Sequence, residues 1–168
     1  IIEKASDNNI YCNYTDQPTI DSCVIKNSGN VGIHFYQANN SVYNTSIFDN
    51  IIGIKSDSER PLFSGCEIYN NETQELWAVN PDGFPTFENT TLTPSAKDES
   101  VILVGGGVQT VSRTWPYFPG DYVVSGSIEV YDYYVPILTI AAGNTIKLDK
   151  NTKMDIAYVS GNSNNYRG

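Results

Sequence analysis

Apolar and polar positions in the first two thirds of the chain repeat. Residues 19–25, 41–47, 62–68 and 86–92 can be laid under one another. The second position of each copy is apolar: Ile20, Val42, Phe63 and Phe87. Three residues later stands a small side chain, Cys23, Thr45, Cys66 or Thr90, and two further on an aliphatic, Ile25, Ile47, Ile68 or Leu92. The position before the small residue is Ser22, Asn44, Gly65 or Asn89, types that tolerate a tight or left-handed backbone. A step of two along a strand returns to the same face, so the small residue and the aliphatic point inward together. The step of three from the first apolar position needs a bend, which the Ser/Asn/Gly position supplies. Measured on the small residue, the copies recur after 22, 21 and 24 residues.

A second apolar segment follows each copy. Val31-Gly-Ile33, Ile52-Gly-Ile54, Leu76-Trp-Ala78 and Val101-Ile-Leu103 read as inward–outward–inward strands, and Ile10-Tyr-Cys12 fits the same strand of a preceding turn. Between the strands, two residues past the aliphatic, lie Asn27, Asp49 and Asn70, which stacking would bring into a ladder. The pattern lacks the 3.6-residue period of helical repeats and the leucine spacing of leucine-rich repeats. It predicts an all-β solenoid whose turns of about two dozen residues each carry two or three short strands.

These columns resemble the parallel β-helix repeats of pectate-lyase-like proteins over residues 1–106. The resemblance implies a right-handed parallel β-helix, a fold shared by lyases, hydrolases, tailspikes, adhesins and surface-layer proteins. The columns stop at Gly105-Gly-Gly107. Residues 107–168 read as further short strands, an additional C-terminal β segment. Trp115, Tyr122-Val-Val-Ser-Gly126 and the stretch from Leu138 to Lys147 resemble the entry sequence of bacterial and archaeal surface β-helix modules. Tyr131-Asp-Tyr-Tyr134 and Leu148 depart from that pattern. The expectation is that residues 107–168 begin a further module or cap the first, and that the chain is a piece of a longer array.

Composition narrows the partners. Charged residues make up 17% of the chain, and the net charge is −9. Nucleic acid needs clustered Lys/Arg and is excluded as an expected partner, and the same balance counts against acidic polymers. No stretch of about 18 apolar residues is present, so no membrane-spanning helix is expected. Low charge with abundant Asn, Ser, Thr and Tyr predicts an extracellular or cell-surface setting. Cys12, Cys23 and Cys66 lack metal-ligand spacing and read as small buried hydrophobes without a Cys23–Cys66 disulfide.

Candidate chemistry is sparse. Polygalacturonase-like hydrolysis would require Asn-x-Asp, Asp-Asp, Gly-His-Gly and Arg-x-Lys motifs together, and Gly32-Ile-His34 only approaches the Gly-His-Gly. Pectate-lyase-like elimination would require an Arg base with clustered acids for Ca²⁺, and the arginines are Arg60, Arg113 and Arg167. No catalytic residue, metal site or cofactor is therefore assigned. The loops Asp57-Ser-Glu59 and Asp98-Glu99 lack an alternating carboxylate spacing and read as solvated. Five Asn-x-Ser/Thr sequons begin at Asn13, Asn39, Asn44, Asn71 and Asn89, two of them generated by the repeat itself. Tyr131, Tyr133 and Tyr134 form an aromatic cluster that reads as cross-strand pairs or an interface.

The one candidate binding row is outward. His34 alternates with inward Ile33, and its counterparts in neighbouring turns are Tyr11, Lys55 and Trp77. Such a row can stack on a sugar, although a mixed solvent-facing strand gives the same pattern. The sequence thus predicts a non-catalytic surface module with a structural, display or glycan-adhesion role. The alternatives are a carbohydrate-active β-helix whose catalytic turns lie elsewhere and a tailspike-like glycan-recognition protein. Expected partners are a cell-surface glycan, flanking modules of the same polypeptide, and a second copy through open solenoid ends.

Overall fold

The computed structural model describes residues 1–14, 19–57, 60–96, 100–131 and 135–156. Glu59, Asp98, Glu99, Tyr133, Tyr134 and Arg167, named above, lie outside them. Every strand pairing among the described residues is parallel, and the chain winds as a solenoid. The longest sheet has seven strands: Asn8–Asn13, Val31–Tyr36, Ile52–Ser56, Gln74–Ala78, Val101–Val104, Asp121–Val124 and Thr145–Leu148.

Two further sheets complete the first turns. One joins Thr19–Asp21, Ser41–Tyr43, Leu62–Ser64 and Thr86–Glu88, and places Ile20, Val42, Phe63 and Phe87 in register. The other runs from Ile2–Glu3 through Val24–Lys26, Ser46–Phe48 and Glu67–Tyr69 to Thr91–Thr93, with Ile25, Ile47, Ile68 and Leu92 in register. The bend between these sheets falls where the repeat predicts. Ser22, Asn44, Gly65 and Asn89 all have positive φ, between 47° and 66°. Ile25, Ile47, Ile68, Val42 and Phe63 are fully buried.

Past residue 106 the long sheet continues, because Val101–Val104 pairs with Asp121–Val124, which pairs with Thr145–Leu148. The flanking sheets do not. Gly107–Gln109, Ile128–Val130 and Met154–Ile156 form one new sheet, and Arg113–Trp115 with Leu138–Ile140 another. Aromatic packing crosses the change of sheets: Phe84 stacks on Trp115 at 5.8 Å, and Trp115 on Tyr122 at 5.2 Å. Tyr122 is fully buried, and its hydroxyl donates to the Pro116 carbonyl at 2.7 Å.

Two expectations need correction. In the fifth strand of the long sheet Ile102 and Val104 face inward, not Val101 and Leu103. The cause is an irregularity between Gln74 and Leu76 that shifts the register by one residue. Cys12 and Cys66 are buried, but Cys23 is only half-buried, since its copy of the repeat ends the stack on one side. All three thiols are free, with no disulfide among them. Asn71, which begins one of the five sequons, is fully buried.

The predicted ladder at the second corner is present and exposed. Asn27, Asp49 and Asn70 share a φ near 55°, the Asn27 amide donates to the Asp49 carbonyl, and the Asn70 side chain donates to the Asp49 carboxylate. A second ladder, one residue further on, is buried. Asn50 Oδ1 accepts from the Ser28 N–H at 3.0 Å and from Asn9 Nδ2 at 3.3 Å. Asn71 Oδ1 accepts from both the N–H and the Nδ2 of Asn50, at 3.1 and 3.0 Å. Glu75 then accepts from the Asn71 N–H and side chain and from the Ser100 hydroxyl. Ser100 Oγ in turn accepts from the Ser95 N–H at 2.7 Å. Gly32 and Gly53 make this packing feasible: a Cβ on Gly32 would lie 2.9 Å from Asn50 Nδ2, and one on Gly53 2.7 Å from Asn71 Nδ2. Burial raises the pKa of Glu75, while its hydrogen bonds from Asn71 and Ser100 act in the opposite direction.

Candidate functional site

The long sheet holds its side chains by strict alternation. Ile33 and Phe35 point into the core, so His34 and Tyr36 point out, and the neighbouring strands follow in register. Tyr11 pairs with His34, His34 with Lys55, and Lys55 with Trp77. The four residues predicted from the sequence therefore form one outward row, each a rung of about 4.8 Å from the next.

The row is internally connected. The Tyr11 and His34 rings lie 5.1 Å apart at 53°. Lys55 Nζ sits 4.5 Å from the centroid of the Trp77 ring, a cation–π contact that holds the indole beside the ammonium. A second outward row, two residues along each strand, adds groups that the sequence reading did not assign. Asp57 Oδ1 lies 3.3 Å from His34 Nε2 and 3.9 Å from Lys55 Nζ. Tyr36 packs edge-on to His34 at 6.5 Å, and Tyr14 edge-on to Tyr36 at 5.4 Å. The period-two rule that found His34 and Lys55 also points to Tyr36 and Asp57, because they share the same parity.

Burial lowers the pKa of His34, and this outweighs the Asp57 carboxylate, which acts to raise it. The imidazole is therefore neutral at pH 7. A carboxylate can only accept, so Nε2 carries the proton toward Asp57 and Nδ1 is left as an acceptor.

One end of the row is closed by a loop. The segment from Ala5 to Asn8 folds against Ser28 to Asn30: the Gly29 N–H donates to the Ala5 carbonyl, and Asn30 Nδ2 donates to Asp7 Oδ1 at 2.8 Å. The result is a groove of about 730 Å³. Tyr11, His34, Lys55 and Trp77 line it together with Asp7 and Asn30. Tyr11 is half exposed along the groove, at 50%. Aromatic faces, a cation, a carboxylate and amides thus converge on one open channel along the solenoid axis. Asp7 and Asn30 sit in a loop without repeat periodicity, so no pattern in the sequence marks them.

A family model described as the right-handed beta helix region matches residues 1–111. The chain belongs to this family. No curated protein and no solved structure matches it. In this β-helix no helix is long and apolar enough to cross a membrane, and no group of three or more His, Cys, Asp or Glu gathers among the described residues. The β-helix fold fixes where the row lies, since only the long sheet runs through every turn of the described solenoid.

Proposed function

We propose that this β-helix is a non-catalytic extracellular or cell-surface module that binds an extended glycan along the groove of the long sheet. The observation that carries this reading is the axial row of Tyr11, His34, Lys55 and Trp77, in register on successive strands. Aromatic faces stack on the apolar faces of sugar rings, and the amides and charges around them bond hydroxyls. A rung spacing of about 4.8 Å also lets a linear polymer of similar repeat length meet equivalent groups in successive turns. The neutral-polar composition supports an extracellular setting.

The test is a glycan array followed by calorimetry on the best binder. Trp77→Ala and Tyr11→Ala should each weaken binding about two- to tenfold, the worth of one aromatic contact. Unchanged affinity in both variants would sink the reading. A second reading, a carbohydrate-active β-helix, is favoured by the hydrogen bond between groove-lining His34 and Asp57. Reducing-sugar and unsaturated-product assays on the bound glycan separate the two: product formation lost in His34→Ala establishes catalysis, and intact glycan after prolonged incubation establishes binding alone.

A further inference from the structure

We propose a second binding site: the cleft between Thr86–Glu88 and Arg113–Trp115 takes a carboxylate carried on a small apolar or ring-shaped body. The cleft has a structural origin. Thr86–Glu88 is the last strand of its sheet, and Arg113–Trp115 belongs to a different one, so no ladder joins them. Asp82 fixes the approach to the later strand by accepting from the Thr110 N–H and hydroxyl and from the Val111 N–H. The space left is about 340 Å³.

Its lining contains donors and apolar walls but no acid. Phe87, Pro85 and Pro116 supply apolar surface, and Thr86, Ser112 and Thr114 are the neutral polar residues of the lining. The charged group is Arg113, which is only 8% exposed. All its hydrogen bonds go to backbone carbonyls: Nε and Nη2 to Asp82, and Nη1 to Ser112. A guanidinium has five N–H groups, so one on each Nη is left over. Among the described residues Arg113 makes no ion pair, the Asp82 carboxylate being turned onto Thr110 and Val111.

A buried charge without a counter-ion is costly, and a second cation aggravates it. Arg60 is close enough to disfavour the charge on Arg113, adding to the effect of burial and outweighing the opposing pull of Asp82. The site answers to an oxyanion, to which the remaining Nη protons can donate. The apolar walls select an anion with a body over an inorganic one. The net charge of −9 opposes acidic polymers at large, but this lining is a local exception to it.

The experiment titrates the full 168-residue chain with benzoate, benzyl alcohol and inorganic phosphate at constant ionic strength, followed by ¹H–¹⁵N NMR. Benzoate should saturate and shift the Arg113 Nε–H and the Thr114 amide, with benzyl alcohol and phosphate each about tenfold weaker or more. Arg113 also anchors the Asp82 carbonyl, so its removal can unfold the cleft, and the exposed Arg60 is the better variant. Arg60→Gln should keep the spectrum of the fold and weaken benzoate about two- to fivefold, while exposed Lys150→Gln leaves it unchanged. Absence of saturation at those two probes, equal binding of benzyl alcohol or phosphate, or full affinity in Arg60→Gln would each overturn the proposal.

Discussion

Replacing Ile47 with alanine probes the inward face of the solenoid where it is most constrained. Ile47 is fully buried and pairs in register with Ile25 on one side and Ile68 on the other, both equally buried. The change removes three carbons, worth about 0.8 kcal/mol each in transfer alone. Parallel rungs above and below hold the backbone apart, so the hole cannot close and a cavity cost adds to the transfer loss. The expected destabilisation is about 2–5 kcal/mol. For a chain of this size each kcal/mol lowers Tm by about 2–4 °C. Ser46→Ala, on the outward face of the same strand, should stay within about 0.5 kcal/mol. Urea unfolding followed by circular dichroism measures both, with the slope against urea unchanged if only stability is affected. Equal losses from the two substitutions would refute the assignment of faces and, with it, the register of the whole sheet.

Other expectations follow from buried and half-buried groups. Burial raises the folded-state pKa of Glu75 above its unfolded value, so the stability it permits is fully present below the ordinary glutamate range and falls as pH rises through the raised value. Each unit of elevation costs about 1.4 kcal/mol above that window, and urea unfolding from pH 4 to 8 should lose this slope in Glu75→Gln; an unaltered slope would assign it to another group. In the native protein a thiol reagent should modify Cys23 first and spare Cys12 and Cys66 until denaturation, because burial raises both of their pKa values and hides them; simultaneous modification of all three would contradict the packing. Ile140, Leu148 and Ile156 continue inward columns yet are exposed, so light scattering should detect self-association at high concentration that Leu148→Lys with Ile156→Lys reduces. A monomer at every concentration would remove the second copy from the expected partners.

The columns that repeat were legible because period-two alternation and a left-handed corner leave compulsory residue types. Ile20, Thr45, Asn44 and Ile68 announce their places by chemistry alone. The groove row was legible for the same reason: Tyr11, His34, Lys55 and Trp77 share one parity. The buried ladder was not, because Asn50 and Asn71 follow exposed Asp49 and Asn70 and resemble them. What buries them is the missing Cβ of Gly32 and Gly53, on a strand one turn away. The regrouping of sheets after residue 106 was equally hidden, since contacts that accompany it, such as Asp82 with Thr110, span 28 residues of chain. Arg113 stood as one of three arginines without an assigned role for the same reason: its surroundings come from turns distant in sequence.

The buried ladder also sets a rule of occupancy. At this corner each turn has room for one amide-sized group, which comes from one of two places. Where the strand offers Gly32 or Gly53, the next turn contributes Asn50 or Asn71. Where the next turn has only Ser28 or Ser95, the strand supplies Asn9 or Glu75 itself. The meaningful letter at either position is therefore a pair spread over two successive turns, Gly with Asn or a long polar side chain with Ser. Changing one member alone crowds the corner or leaves it hollow with polar atoms unmet. Relatives that gain or lose a turn here should do so in whole pairs, and substitutions at the two positions should travel together even though some twenty residues separate them in the chain.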